Sequence, residues 1–473
     1  MQVFNTLSKR KEEFVPLHPP FVGIYVCGPT VYDDPHLGHG KSYVSFDVVV
    51  RFLRAKGYKV RYVQNITDVG HLLDEDGEDR VIKKARLEKL EPVEIAQKYE
   101  VRFFRDMDRL NCLRPDISCR ASGHLIEMME LVSELLKRGH AYEVNGNVYF
   151  DISTFPDYGK LSRRKVEELR KGSRVEVAED KRHPADFALW KRADERHIMK
   201  WPSPWGAGFP GWHLECSSMA MKYLGESIDI HGGGIDNQFP HHECEIAQSE
   251  SATGKPFVKY WMHNNMVVMD EKKMSKSLGN FVTLDQLFRQ YDPMTVRFFI
   301  LQGHYRSPQE FSDEALQAAG RGLDRLARFR EELLSFRNAD EAVARSPFKE
   351  HKERFYRAME DDFNTAAALS VLFDMIRDVQ EHVFSSNNAS AGAFACAVFE
   401  ELAESILGLS FEKTAGSQGD DVSCLLDYLV EMRRMFRERK QWELADQIRN
   451  RLEKIGVVVE DGQTVSRWRK KQS

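Results

Sequence analysis

Several things are scarce in this chain, and each scarcity excludes something. No apolar run approaches 18 residues, so no helical membrane span is expected. The start, Met1-Gln2-Val3-Phe4, has no basic segment leading into an apolar one, so no secretory leader is expected. Seven cysteines in 473 residues are sparse and odd in number, which argues against a disulfide framework. Neither charge sign dominates: 68 Lys and Arg face 73 Asp and Glu, a balance of −5 that neither demands nor excludes a polyanionic partner. There is no internal repeat and no long low-complexity tract. What remains is 42% hydrophobic and 30% charged, the profile of a soluble globular protein. At this length it should form several domains, each with its own core. A reducing cytoplasm is the expected compartment.

The charge is uneven along the chain. From Arg433 to Lys471 there are 12 Lys and Arg against six Asp and Glu. A basic C-terminal segment on an acidic protein is compatible with contacts to a polyanion, though a solvated helical face has the same composition.

The densest chemical signal lies at Asp229-Ile230-His231-Gly232-Gly233-Gly234-Ile235 and at Phe239-Pro240-His241-His242-Glu243-Cys244-Glu245. The first stretch predicts a buried strand running into glycines that allow a ligand close to the backbone. The second predicts a helix opening at Pro240, with His241 and Glu245 four apart on one face. A histidine and a carboxylate at that spacing can share one zinc ion. Most such pairs are ordinary helix faces, so the pair needs support from elsewhere.

Periodicity predicts a strand over Phe21 to Val26, a helix over Ser42 to Lys56 closed by Gly57, and a strand over Val60 to Ile66. Strand–helix–strand is the unit of a parallel Rossmann-like sheet, in which ligands sit at the strands' carboxyl ends. Residues 116–205 read as an insertion. It holds an amphipathic helix near Leu125 to Lys137 and a hairpin turning at Asn145-Gly146. Residues 312–410 are helical in pattern with few Gly or Pro, which predicts a bundle. Residues 411–420 read as a linker and 421–473 as a small helical module ending in a strand.

Two further segments support the metal reading. One is Cys27-Gly28-Pro29-Thr30-Val31-Tyr32-Asp33-Asp34-Pro35-His36-Leu37-Gly38-His39-Gly40, and the other is Lys273-Met274-Ser275-Lys276-Ser277. His-x-Gly-His and Lys-Met-Ser-Lys-Ser, in this order and this far apart, resemble the signature motifs of class I aminoacyl-tRNA synthetases. The surrounding residues resemble the cysteinyl-tRNA synthetase family over nearly the whole chain, from Phe4-Asn5-Thr6-Leu7 to Arg467-Trp468-Arg469.

That resemblance implies an α/β fold: a Rossmann-like catalytic domain in two halves, 1–115 and 206–255, around the connective insertion at 116–205. It assigns 256–311 to the Lys-Met-Ser-Lys-Ser loop and a stem-contact region. The bundle would bind tRNA, and 421–473 would recognise the anticodon. The implied reaction joins L-cysteine to tRNA(Cys) through an adenylate, with ATP and Mg2+. His36, His39, Lys273 and Lys276 would stabilise the charge that builds on the phosphates. Pro29, Thr30, His36, Gly38, His39 and Lys276 would contact ATP. Cys27, Gly28, Thr67, Trp212 and His231 would contact the amino acid, with His231 and His242 equally able to back the site from behind.

One zinc ion per chain would be held by Cys27, Cys216, His241 and Glu245. Zinc binds a thiolate well and a hydroxyl poorly, so it would separate cysteine from the near-isosteric serine. Arg437, Trp442, Asp446 and Asp461 match the positions by which the family reads the anticodon, where stacking and base-edge bonds do the work. An amphipathic helix packing on the bundle, with Trp442 buried, is the competing expectation. The resemblance implies a monomer away from membranes. A related ligase that passes cysteine to a small amine, as in mycothiol synthesis, lacks the C-terminal module. A non-catalytic RNA-binding paralogue would have lost His39, Lys276 or a zinc position, and a plain nucleotidyltransferase would not need Cys216, His241 and Glu245. The acidic loop Val69 to Asp79 departs from the family pattern and has no assigned role.

Overall fold

Val22, Ile24, Tyr25 and Val26 are all essentially excluded from solvent. Such an unbroken apolar run fits a strand covered on both faces, as in a parallel sheet. In the computed structural model, β1 (Phe21–Val26) is the central strand of five. The others are β2 (Lys59–Ile66), β3 (Ile117–Arg120), β4 (Ile228–Gly234) and β5 (Val258–Asn264). Their order is β5-β4-β1-β2-β3, and every pairing is parallel. The structure describes residues 1–69, 79–164, 180–194, 197–269, 272–273, 281–337, 347–386, 388–411, 426, 428–433, 435–437, 439, 441–454, 457–461 and 466–470.

The chain builds outward from β1 through β2 to β3, then returns to the other side of β1 for β4. That reversal opens a crevice at the carboxyl ends of β1 and β4, where open α/β sheets bind ligands. Three helices bring side chains to it: α1 (Leu37–Ala55), α2 (Trp212–Leu224) and α3 (His241–Thr253).

The insertion has its own antiparallel sheet, Ala141–Val144, Asn147–Phe150, Phe187–Arg192 and Gly208–Pro210 in that order. Its first hairpin turns with φ of 52° at Asn145 and 83° at Gly146, the left-handed pair that an Asn-Gly turn supplies. Helix Leu125–Lys137 has the span its periodicity predicts.

The structure differs from the sequence expectation at three edges. Ile117–Arg120 pairs with β2 and lies in the core sheet rather than in the insertion that 116–205 would delimit. Gly208–Pro210 pairs with Phe187–Arg192 and belongs to the insertion's sheet rather than to the catalytic half that 206–255 would delimit. β5 extends the core sheet to Asn264, beyond 255. Each shift follows from hydrogen-bond partners far away in sequence, which local pattern does not encode.

Beyond the sheet come helices Pro293–Gln302, Asp313–Leu334, Pro347–Glu360, Thr365–Val379 and Ala389–Phe399. Buried Arg297 fastens this helical part to α1. It pairs with buried Asp47 and donates to the carbonyls of Leu407 at 2.9 Å and Leu110 at 2.8 Å.

Residues Met1–Ser410 form one compact unit and Phe411–Ser473 a second. In the second, helix Trp442–Lys454 and the hairpin Val457–Asp461 with Ser466–Lys470 share a small core of Leu426, Val430, Leu452, Val457 and Val459. Among the described residues no helix is long and apolar enough to cross a membrane.

Candidate metal and nucleotide site

The residue after β1 is Cys27, buried and facing two elements that arrive from far along the chain. Its Sγ lies 3.9 Å from Sγ of Cys216 on α2 and 3.2 Å from Nε2 of His242 on α3. One turn apart on α3, His241 Nε2 and Glu245 Oε1 are 3.0 Å apart. Ligand atoms of Cys27, His241, His242 and Glu245 all fall within 4.8 Å of one another, and Cys216 borders the group through Cys27.

Burial sets the electrostatics. It pushes both thiols up, Cys216 well above the ordinary thiol value. It also pushes the Glu245 carboxyl up, and neighbouring His231 offsets this in part. His242 and His263 are held well below the usual imidazole value, first by burial and then by the other rings. Two thiols, neutral imidazoles and a carboxylate form a donor set suited to zinc. Glu245 Oε1 is buried and accepts no hydrogen bond, so a coordinating cation would satisfy it. The residues present therefore fit the metal.

Behind these donors stands a supporting layer. His231 Nε2 lies 2.8 Å from Glu245 Oε2, and His213 Nδ1 lies 2.9 Å from His241 Nδ1. His242 leans on His263 at 2.8 Å, and His263 on the Thr6 hydroxyl at 2.9 Å. Trp212 stacks on His241 with ring centroids 4.4 Å apart. Thr67 is buried and donates to Glu215 at 2.9 Å. Gly28 donates its N–H to the Asn65 side chain at 2.7 Å, and a Cβ there would meet the Asn65 carbonyl oxygen at 1.5 Å. His263 escaped the sequence reading, while His213, Glu215 and Asn65 lie in stretches that resemble the family but carried no assigned role. Each is a single polar residue on a strand or helix end, and only the histidines carry a signal, as potential partners for other ligating rings.

Cys244, beside Glu245 in sequence, turns away and faces the Tyr158 hydroxyl at 3.2 Å. The rotation of one residue along a helix produces that separation.

Next to the metal group is a cavity of about 250 Å³ lined by Cys27, Gly28, Pro29, Thr30, His36, Gly38, His39, Gly233, Gly234 and Asn264, among others. His36 caps α1: its Nδ1 accepts from the His39 N–H at 3.3 Å, and His39 Nδ1 accepts from the His36 N–H at 3.2 Å. The rings stack at 3.8 Å. With Nδ1 accepting, each neutral ring carries its proton on Nε2, so each is a donor there. A helix N-terminus lined by such donors favours phosphate.

The segment after the Lys-Met-Ser-Lys-Ser motif is stitched to this cap. Leu37 N–H donates to the Val282 carbonyl at 3.2 Å and Leu284 N–H to the Pro35 carbonyl at 2.9 Å. Lys272–Lys273 pairs with Val268–Met269. Lys276 and the side chain of Lys273 lie outside the described residues, as does most of the acidic loop after Val69.

In the second unit, Trp442 opens its helix and is 55% exposed, so it does not belong to that unit's core. Asp446 lies one turn on, also exposed, and Arg437 is half-buried on the preceding helical stretch. Asp461 ends the first strand of the hairpin, its side chain outside the described residues.

A crevice at the sheet's switch point, a histidine-capped helix and the 282–284 segment bonded to that cap are the arrangement of a class I aminoacyl-tRNA synthetase. Residues 13–321 match the model for the catalytic domain of class I (C) tRNA synthetases. Residues 354–412 match the DALR domain, and 423–469 the anticodon binding domain of cysteinyl-tRNA ligase. The fold resembles Mycobacterium tuberculosis methionyl-tRNA synthetase in complex with methionyl-adenylate, with a TM-score of 0.60 at 16% identity, over 87% of this chain and 94% of that one. Cysteine–tRNA ligase of Chlorobium luteolum is 50% identical over 479 residues, 99% of each chain. That of Thermus thermophilus is 49% identical over 476 residues, 99% of this chain and 98% of the other. The chain belongs to the cysteine–tRNA ligase family.

Proposed function

We propose that this chain activates L-cysteine with ATP and Mg2+ and passes it to tRNA(Cys), with one zinc ion held by Cys27, Cys216, His241 and Glu245. The observation that carries this reading is the placement of Cys27, which belongs to a buried group of thiol, imidazole and carboxylate donors, at the wall of a cavity also lined by the histidine-capped start of α1. Bound there, zinc would hold the substrate's sulfur as thiolate and discriminate against a hydroxyl.

The chain's own residues do the rest. His231 and His213 orient the glutamate and His241 from behind. Gly28, Gly233 and Gly234 line the cavity, and the missing side chains let the backbone there pack against Asn65, Asn237 and Asp236. His36 and His39 donate from Nε2 to phosphate oxygens, and Lys273 and Lys276 complete the positive lining as pyrophosphate forms. In the second unit, exposed Trp442 stacks on an anticodon base, while Arg437, Asp446 and Asp461 bond to base edges.

The small-amine reading has no support here, because the match at 423–469 is to an anticodon module. The protein works as a monomer in the cytoplasm. Cysteine-dependent ATP–pyrophosphate exchange, followed by charging of a tRNA with a GCA anticodon, tests the reading. Both steps should proceed in the intact protein. Exchange without charging would restore the small-amine ligase.

A further inference from the structure

Lys41 is a buried cation that the reaction as described does not use. It sits on α1 five residues beyond His36, with 1% of its surface exposed. Its ammonium donates to the Ser307 carbonyl at 2.6 Å and to the Met266 carbonyl at 3.3 Å. Burying a lysine against neutral acceptors is costly, so its location calls for a reason. Burial pushes its amine down to about 8, which leaves most of it charged at neutral pH.

The two carbonyls stand at the start of neighbouring strands in a small three-stranded sheet, one of which borders the nucleotide cavity. Met266 lines that cavity and leads directly into the strand Val267–Met269. That strand pairs on one side with Gln309–Glu310, just past Ser307, and on the other with Lys272–Lys273. Met266 O also accepts the N–H of Gln309 at 3.2 Å. Lys41 thus grips the three-stranded sheet at its root, from the same helix that His36 caps and whose first turn carries His39.

We propose that Lys41 is a positioning residue for adenylate formation: by tying α1 to Met266 and Ser307 it fixes the strand Val267–Met269 at the edge of the nucleotide cavity and, through it, the paired strand that bears Lys273. It touches neither substrate, and its effect passes through the strand Val267–Met269 to the Lys272–Lys273 strand paired with it. The inference rests on the reading of that cavity as the ATP site. A displacement of about 1 Å in a positioning element can cost up to about a hundredfold in rate.

The test compares Lys41→Met and Lys41→Arg in the full-length, zinc-loaded protein by ATP–pyrophosphate exchange, with ATP and cysteine varied separately. Lys41→Met should raise the ATP KM and lower the exchange kcat, together by about tenfold or more. The cysteine KM and the zinc content should stay within about twofold. Lys41→Arg, whose guanidinium can reach both carbonyls, should recover much of the loss. Amide hydrogen exchange in Lys41→Met should quicken at 266–269 and 305–310 and stay unchanged in α3.

Exchange kinetics unchanged in folded Lys41→Met would overturn the proposal. So would a cysteine KM that rises in step with that for ATP, since a general structural role predicts such a parallel change. Should Lys41→Met fail to fold, the same split is read from Lys41→Arg: a shift confined to ATP supports the proposal, and a shift in both substrates overturns it. His39→Ala, run alongside, separates the two readings. If it leaves exchange intact, the nucleotide cavity is misassigned; if it abolishes exchange while the Lys41 variants keep theirs, only the Lys41 role fails.

Discussion

Cys216 is the residue that most sharply tests the proposed zinc site, because it is the second thiol beside Cys27 and burial raises its proton affinity. Replacing it with serine removes one soft donor while preserving size. Lys41 apart, Cys216→Ser is the most informative single change: zinc content should fall well below one per chain, and the cysteine KM should rise by at least tenfold. Both thiols have raised proton affinity, so coordination must displace protons. Zinc affinity should therefore weaken as pH falls from 8 to 6, the raised thiol values placing the loss on the acid side. Competition against a chelating dye across that range measures it, and a flat profile would mean that the thiols are not ligands.

Elements place these residues, and the loop after β1 shows how tightly. Gly28 lies where a methyl would strike the Asn65 carbonyl oxygen of β2, a backbone atom that cannot swing away. Gly28→Ala should therefore cost about 2–4 kcal/mol of stability and lower the exchange rate, read by thermal unfolding and by pyrophosphate release. A normal melting temperature with normal exchange would show that the loop has slack. At the join between α1 and the helical part, Arg297 is buried against Asp47 and three carbonyls. Arg297→Met leaves Asp47 buried with less compensation and should cost about 3–5 kcal/mol, again visible in thermal unfolding.

Elements are also where the sequence was most legible. β1 could be read because a strand covered on both faces is largely apolar, β2 from Val60, Tyr62, Val63 and Ile66 within a short run, and α3 because His241 and Glu245 follow the helical repeat. The Asn145-Gly146 turn followed from its dipeptide alone. Ile117–Arg120 could not be assigned to the core sheet, since only its pairing with β2 puts it there. Nor did spacing alone join Cys27 to Cys216: 189 positions separate them, and only the sheet brings α2 back to the end of β1. For that pair the family resemblance supplied what local physics lacks. His263 stayed unread because a lone polar residue at a strand end has no period to reveal it.

At the scale of the whole molecule, the two units divide chemistry from recognition. Unit Met1–Ser410 holds the cavity and the metal donors, while Phe411–Ser473 presents Trp442 to solvent. Stacking of one base on an aromatic is worth about 1–3 kcal/mol. Trp442→Ala should therefore raise the tRNA KM by about fivefold to a hundredfold and leave cysteine-dependent exchange unchanged. An unaltered tRNA KM would remove Trp442 from the anticodon contacts.

The claim that joins both units is that a zinc–thiol contact selects cysteine and that tRNA receives it. It is tested most directly by measuring charging of tRNA(Cys) with cysteine and with serine on one preparation whose zinc is assayed. The account predicts about one zinc per chain, charging with cysteine alone, and loss of that charging when zinc is removed and not restored. Equal charging with serine, or full cysteine charging by zinc-free protein, would contradict it.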